Sequence, residues 1–311
     1  MLSFNPVKEN ASRHVAAILD KQDDRNPVEF IYFTELSRGD KKPETDFEEK
    51  LKQYTVEGST VKDFKLKDDR YELMILPSNT VKGIQREAIS VFGKPGCGKS
   101  YQIAQYVRNY LVARPRNKVY FYSANKLKND PSYDEYLREK IIQVDLMTVD
   151  CPIDPADYTD SLFIFDDVLD VDVGINPAEV FEGYATAPFN QKMKMQKDCD
   201  KQSKAVGALL NSSVRSIYNL GRKYNISCIA VYHKHYSGER STFVLQGCTS
   251  CWVFPYSTTD SVLKSFLADK LSFPKEEAQA VVDRDHFLWE FMTINNSGKI
   301  FYFTPNHFKV L

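Results

Sequence analysis

No apolar run in this chain of 311 residues approaches the roughly 18 that a membrane-spanning helix needs. It has neither an internal repeat nor a low-complexity tract. Its first residues, Met1-Leu2-Ser3-Phe4-Asn5-Pro6, lack a basic stretch followed by an apolar one, so neither a secretory leader nor a membrane partner is expected. Excess charge is missing too: 41 Lys and Arg stand against 42 Asp and Glu, a net charge of −1. That balance excludes a general polyanion binder and leaves room only for local contact with nucleic acid. The six cysteines (Cys97, Cys151, Cys199, Cys228, Cys248 and Cys251) are scattered, and three lie in apolar or phosphate-loop settings. Reduced thiols in a cytosol-like compartment suit that distribution. Only Cys248-Thr249-Ser250-Cys251 has C-x-x-C spacing, with no second pair and no nearby histidine pair, so a zinc site is not expected. It leads into Trp252-Val253-Phe254 and reads as a buried strand.

What is present is ordinary in bulk, with 42% hydrophobic and 27% charged residues, and long enough for one large α/β domain with an appendage. One stretch is not ordinary. Gly93-Lys94-Pro95-Gly96-Cys97-Gly98-Lys99-Ser100 fits the phosphate-loop pattern G-x-x-x-x-G-K-[ST] at every fixed position. Chance would produce this in roughly one chain of such length in a hundred. Ile89-Ser90-Val91-Phe92 before it reads as the end of a buried strand, and the residues from Tyr101 onward read as a helix. In that setting backbone N–H groups and the helix N-terminus face phosphate oxygens. Lys99 is then expected at the terminal phosphates and the Ser100 hydroxyl on Mg²⁺, while glycine at 93, 96 and 98 allows close approach.

Residues 1–86 read as a small α+β preface. The spacing predicts a weak helix over 10–22, a strand over 28–36, a charged loop over 38–46 and a short helix over 47–54. Strands over 61–66 and 71–76 read as a hairpin around Lys67-Asp68-Asp69. From residue 87 strands and helices alternate, which predicts a parallel sheet with crossover helices. Expected strands lie at 118–122, 141–142, 161–167, 226–232 and 251–254, and expected helices at 133–140, 202–224 and 261–271. Residues 168–201 show little apolar periodicity. A hairpin closes the chain, 288–294 and 299–303, around Asn295-Asn296-Ser297-Gly298.

Leu162-Phe163-Ile164-Phe165-Asp166-Asp167 has the form of a Walker B strand. Its carboxylates emerge at the sheet edge where open α/β sheets bind ligands. Asp166 is expected near Mg²⁺ and Asp167 as the group that orients or deprotonates the attacking water. His233 ends the next strand and could sense the γ-phosphate. Arg222, just before that strand, could act as an arginine finger on a neighbouring subunit, with Arg215 and Arg240 in reserve. A basic residue at a helix C-terminus is the plainer alternative. Lys192, Lys194 and Lys197 lie in what reads as a flexible loop able to grip a phosphate backbone. Lys201 and Lys204 follow, and Lys234, His235 and Arg240 form a second such loop. Asn125-Lys126-Leu127-Lys128 starts like the guanine-reading N-K-x-D but ends in Lys after the wrong strand, which favours ATP.

Three stretches together carry a family resemblance: Gly93 to Ser100, Phe163-Ile164-Phe165-Asp166-Asp167-Val168, and Asn219-Leu220-Gly221-Arg222-Lys223-Tyr224-Asn225-Ile226-Ser227-Cys228-Ile229. In this order and spacing, over residues 87–275, the chain resembles the poxvirus-type DNA-packaging ATPases of large nucleocytoplasmic DNA viruses. Those belong to the FtsK–HerA superfamily, with virophage and polinton relatives. The resemblance implies an α/β, RecA-like P-loop NTPase core with a mostly parallel sheet flanked by helices in residues 87–311, ending in the β-hairpin. It implies ATP and Mg²⁺ as cofactors, bound at Gly93, Lys94, Pro95, Gly96, Cys97, Gly98, Lys99, Ser100 and Tyr101. It also implies a homo-oligomeric ring (pentamer or hexamer), double-stranded DNA and capsid vertex proteins as partners, and a location in host cytoplasm, viral factory or virion. An arginine finger fits Arg222, and a polar sensor fits His233. The superfamily usually has Glu where Asp167 stands and often Gln where His233 stands. Alternatives are a HerA-like helicase or processing translocase, a P-loop kinase or nucleotide switch, and a virion protein with a vestigial nucleotide site.

Overall fold

The computed structural model describes residues 1–7, 12–23, 26–34, 36, 46–75, 77, 86–168, 173–233, 245, 247–257, 259–284, 286, 290–295 and 300–310. Two compact units emerge, one of residues 1–87, 93–115 and 249–311, the other of residues 88–92 and 116–248.

In the first unit β1 (Leu2–Ser3), β2 (Ser12–Asp20) and β3 (Asn26–Thr34) open the chain, followed by α1 (Phe47–Leu51), β4 (Asp63–Lys65) and β5 (Tyr71–Met74). Residues 12–20 are therefore a strand, where the spacing predicts a helix. Val15 to Leu19 are all buried, with Ala16, Ala17 and Ile18 fully so. A strand covered on both faces has no alternation to betray it, and its apolar run mimics helical spacing. β2 is the central strand that β3 and β5 flank, in the antiparallel order β1-β3-β2-β5. The predicted hairpin over 61–76 is also corrected. The turn forms, with Arg70 N donating to Asp68 Oδ1 at 2.7 Å, but its two strands part company. β5 joins β2, while β4 joins the last strand of the chain. Arg70 Nε donates to Asp20 Oδ2 at 2.7 Å and so ties the turn to the end of β2 instead.

The second unit begins with β6 (Ala88–Phe92), whose five residues are all buried. The chain then leaves through α2 (Lys99–Ala113) and returns with β7 (Lys118–Ser123), α3 (Glu135–Lys140), β8 (Ile141–Gln143), β9 (Ser161–Asp166), α4 (Pro177–Val180), α5 (Phe189–Leu220) and β10 (Ile226–Tyr232). The sheet β6-β10-β9-β7-β8 is parallel throughout. β10 lies between β6 and β9, with Tyr232 opposite Phe92 and Val231 opposite Asp166. Parallel register brings the C-terminal ends of β6, β10 and β9 to one edge. α5 covers this sheet: Tyr218 lies with its hydroxyl 3.2 Å from Ser90 Oγ on β6. Residues 189–201, which read from sequence as a loop, are the start of α5. They bury almost nothing, so no apolar periodicity marks them, although Gln, Lys and Met favour helix.

The rest of the first unit is β11 (Ser250–Val253), α6 (Asp260–Ser265) running into a wider helical turn at residues 266–270, α7 (Lys275–Val282), β12 (Phe291–Asn295), β13 (Ile300–Thr304) and β14 (His307–Val310). β12 and β13 pair as the predicted hairpin, Ile294 opposite Ile300; its turn, 296–298, lies outside the described residues. β14, which the sequence does not announce, pairs with β13 and with β4, where His307 Nε2 meets Asp63 Oδ1 at 2.7 Å. All six cysteines are free thiols.

Candidate nucleotide site

The glycine loop follows β6 in the chain without an intervening residue. Gly96 and Gly98 take left-handed φ values of 79° and 102°, which a side chain would resist. Gly98 caps α2, so Lys99 is its first helical residue. Lys99 is only 7% exposed, and its Nζ donates to Gly93 O at 2.7 Å and Lys94 O at 2.9 Å. A buried ammonium needs such partners, and here the loop supplies them from its own first two carbonyls. The first turn of α2 carries no acidic residue, so nothing there opposes an anion at the helix N-terminus. Gly93 has a different reason to be glycine. A Cβ there would stand 2.7 Å from Cys97 Sγ and 3.0 Å from Phe254 Cβ. Lys94, Pro95 and Gly96 are exposed, Cys97 is buried, and Ser100 and Tyr101 are half-buried at the start of α2. Behind the loop, the buried Tyr106 hydroxyl donates to Glu87, and its ring meets Trp252 edge-on at 5.7 Å.

In the second unit β9 buries Ser161 to Phe165 completely and releases Asp166 and Asp167, both half-buried, at its C-terminal end. Asp167 has φ 56°, a left-handed backbone that turns its carboxylate out of the strand's alternation. Its Oδ2 meets His233 Nε2, one residue beyond β10. Two residues predicted for separate roles are thus in direct contact. Sequence reasoning misses Tyr133. It is fully buried, and its phenol is held protonated well above its ordinary range, by burial first and then by the charges of Asp166 and Asp130. An aromatic 33 positions before the carboxylate gives no sequence signal of that neighbourhood.

Arg222 is exposed in the turn between α5 and β10. It precedes β10, whereas His233 follows it, and seven strand residues span about 23 Å. Arg222 is therefore not brought to the Asp167–His233 pair of its own chain. Arg215 is exposed on α5. Lys192, Lys194 and Lys197 stand on α5, not on a loop, and Lys192 Nζ folds back to Ala185 O at 2.7 Å. Lys234, His235 and Arg240 lie outside the described residues. Asn125 belongs to a turn that Gln143 closes, donating from Nε2 to Asn125 O at 2.9 Å and accepting from Leu127 N at 3.0 Å. Beside it, a cavity of about 310 Å³ opens at the tips of β7 and β8, lined among others by Ser123, Lys126, Gln143 and Asp145.

Sequence and structure place the chain among α/β proteins with a parallel sheet flanked by helices. No family model matches it. A stretch of 91 residues is 33% identical to an uncharacterized protein, V3, of the Sputnik virophage; the match covers 27% of this chain and spans about a third (32%) of that relative's length. Among solved structures the chain is similar to the genome-packaging NTPase B204 of Sulfolobus turreted icosahedral virus 2 in complex with ATPγS. That likeness has a TM-score of 0.44 and 15% identity over 71% of this chain and 98% of the other. It is also similar to the pCW3 conjugation coupling protein TcpA with ATPγS, with a TM-score of 0.40 and 9% identity over 95% of this chain and 76% of the other. Among the described residues no helix is long and apolar enough to cross a membrane.

Proposed function

We propose that the chain is a Mg²⁺-dependent ATPase that translocates double-stranded DNA, as one subunit of a homo-oligomeric ring that packages a viral genome. Residues 87–311 would carry the ATPase and residues 1–86 extend it; capsid vertex proteins would be its partners, in host cytoplasm or viral factory. One observation carries the reading: Lys99, buried as the first residue of α2, is gripped by the carbonyls of the glycine loop that follows β6. A buried cation at the N-terminus of a helix whose first turn carries no acidic residue is built for a polyphosphate.

Ser100 and Asp166 offer a hydroxyl and a carboxylate, the hard oxygen donors that Mg²⁺ takes, and would hold it. The ion would neutralise charge between the β- and γ-phosphates. Gly93 to Tyr101 would bind the phosphates, with Lys99 compensating charge on the transferred group. Asp167, aimed by its left-handed backbone and its contact with His233, would orient the attacking water and accept its proton. Arg222 would reach the nucleotide of a neighbouring subunit, because its own Asp167 lies a full strand length away. The basic start of α5, with Lys194 and Lys197, would face the duplex. Steady-state ATP turnover with and without linear duplex DNA tests the reading: magnesium-dependent hydrolysis stimulated by duplex is expected. Hydrolysis indifferent to duplex would favour a kinase or nucleotide switch.

A further inference from the structure

The start of α5 lies at the surface of its unit. The side chains that α5 buries run from Cys199 to Tyr218, so residues 189–198, about 15 Å of helix, bury none. Phe189 there is 75% exposed. On the face turned away from the core, Lys194, Lys197, Lys201 and Lys204 recur at spacings of three, four and three, and all four are exposed. At about 100° per residue they fall in a band about 80° wide, some 160° from the centre of the buried face. Asp198 and Asp200 lie about 40° beyond the two edges of that band, and Asp200 accepts from Gln196 Nε2 at 2.8 Å. Among the described residues none of the four lysines makes a hydrogen bond or an ion pair. Lys192 projects from the opposite side of the helix, towards Ala185 O and the Tyr184 ring.

A merely solvated helix face mixes signs at i, i+4, because opposite charges stabilise it there and like charges oppose it. Here Asp198 stands four residues after Lys194 and Asp200 four before Lys204, yet among the described residues neither carboxylate pairs with a lysine, and Lys197 and Lys201 oppose each other at i, i+4. A polyanion laid along the stripe would relieve that repulsion. We infer that Lys194, Lys197, Lys201 and Lys204 form a rigid rail for the phosphate backbone of duplex DNA, an inference that rests on the DNA-translocating reading above. From first to last the rail is about 15 Å long, about four base-pair steps of 3.4 Å. A row of ammonium groups, which meets phosphates as point charges, positions a duplex without reading its sequence.

The test is the salt dependence of duplex binding by the full chain, comparing Lys197→Gln/Lys201→Gln with a charge-matched control, Lys128→Gln/Lys140→Gln, that changes two exposed lysines elsewhere in the same unit. Glutamine keeps helix propensity. The rail predicts that the slope of log K against log salt flattens by about 1.8 in the first variant, about 0.9 for each lysine–phosphate pairing removed, and stays unchanged in the control. Equal slopes in both variants and the parent chain overturn the rail and leave the DNA reading standing. No duplex binding by the parent chain at any salt overturns both. Loss of binding to phosphatidylserine vesicles in the first variant, with duplex binding intact, would assign the stripe to an anionic membrane instead.

Discussion

His233 Nε2 rests against Oδ2 of Asp167, a residue whose backbone is left-handed at φ 56°. A carboxylate oxygen can only accept, so the imidazole N–H donates and fixes the direction in which the remaining lone pairs point. If Asp167 orients water, His233 acts through it as a positioning residue. Asp167→Asn is expected to lower kcat by about 10²- to 10⁴-fold. His233→Ala should lower kcat by about 10²-fold, the cost of a displaced group, with KM for ATP little changed. His233→Gln keeps a donor and should recover most of the rate. Steady-state kinetics on the three variants checks this; an unaffected His233→Ala would assign the contact to structure alone.

Gly93 has no room for a side chain, with Cys97 Sγ 2.7 Å and Phe254 Cβ 3.0 Å from the place a Cβ would take. Gly93→Ala should cost roughly 1–3 kcal/mol of stability, as overpacking does, and weaken nucleotide binding. Adding Cys97→Ala removes the closer contact and should restore part of the loss. Urea midpoints of the single and double variants read the difference.

His14 makes stability in the first unit depend on pH. Burial lowers its pKa from 6.5 to about 4, against the smaller opposing effect of a hydrogen bond with the Pro77 backbone. The ring is 8% exposed and stacks on Phe30 at 5.1 Å. With the folded value depressed, the unfolded chain takes up a proton first as pH falls. The stabilisation is therefore complete above about 6.5 and lost progressively towards about 4, on the order of 3 kcal/mol in all. His14→Phe should flatten the unfolding midpoint over that window.

Arg222 sits a strand length from the Asp167 of its own chain, so any part in catalysis requires a second subunit. Arg222→Ala and Lys99→Ala chains should each be inactive alone. Mixed, they should recover hydrolysis at sites pairing an intact Lys99 with a neighbour's intact Arg222. Activity that stays at the sum of the separate proteins would rule out action across an interface.

The local parts of the site are legible in the sequence. Glycines at fixed spacing with a following Lys-Ser, and four apolar residues ending in Asp166-Asp167, need only a few residues of context. The insertion of β10 between β6 and β9 is not legible, because strand order is set by long-range pairing. The strand at 12–20 reads as a helix because burial on both faces erases alternation. The first turns of α5 read as a loop for the opposite reason: they bury nothing, so no period marks them. Tyr133 and the Asp167–His233 contact are purely tertiary. Neither has a spacing that could announce it.

The most direct measurement is triplex displacement. A third strand annealed at one end of a linear duplex is released only by a protein that travels along the DNA. Release by the full chain should require ATP and Mg²⁺, and Lys99→Ala should abolish it together with hydrolysis, which should fall by at least about 10²-fold. Vigorous ATP hydrolysis with the third strand left in place, or release that survives Lys99→Ala, would contradict the account.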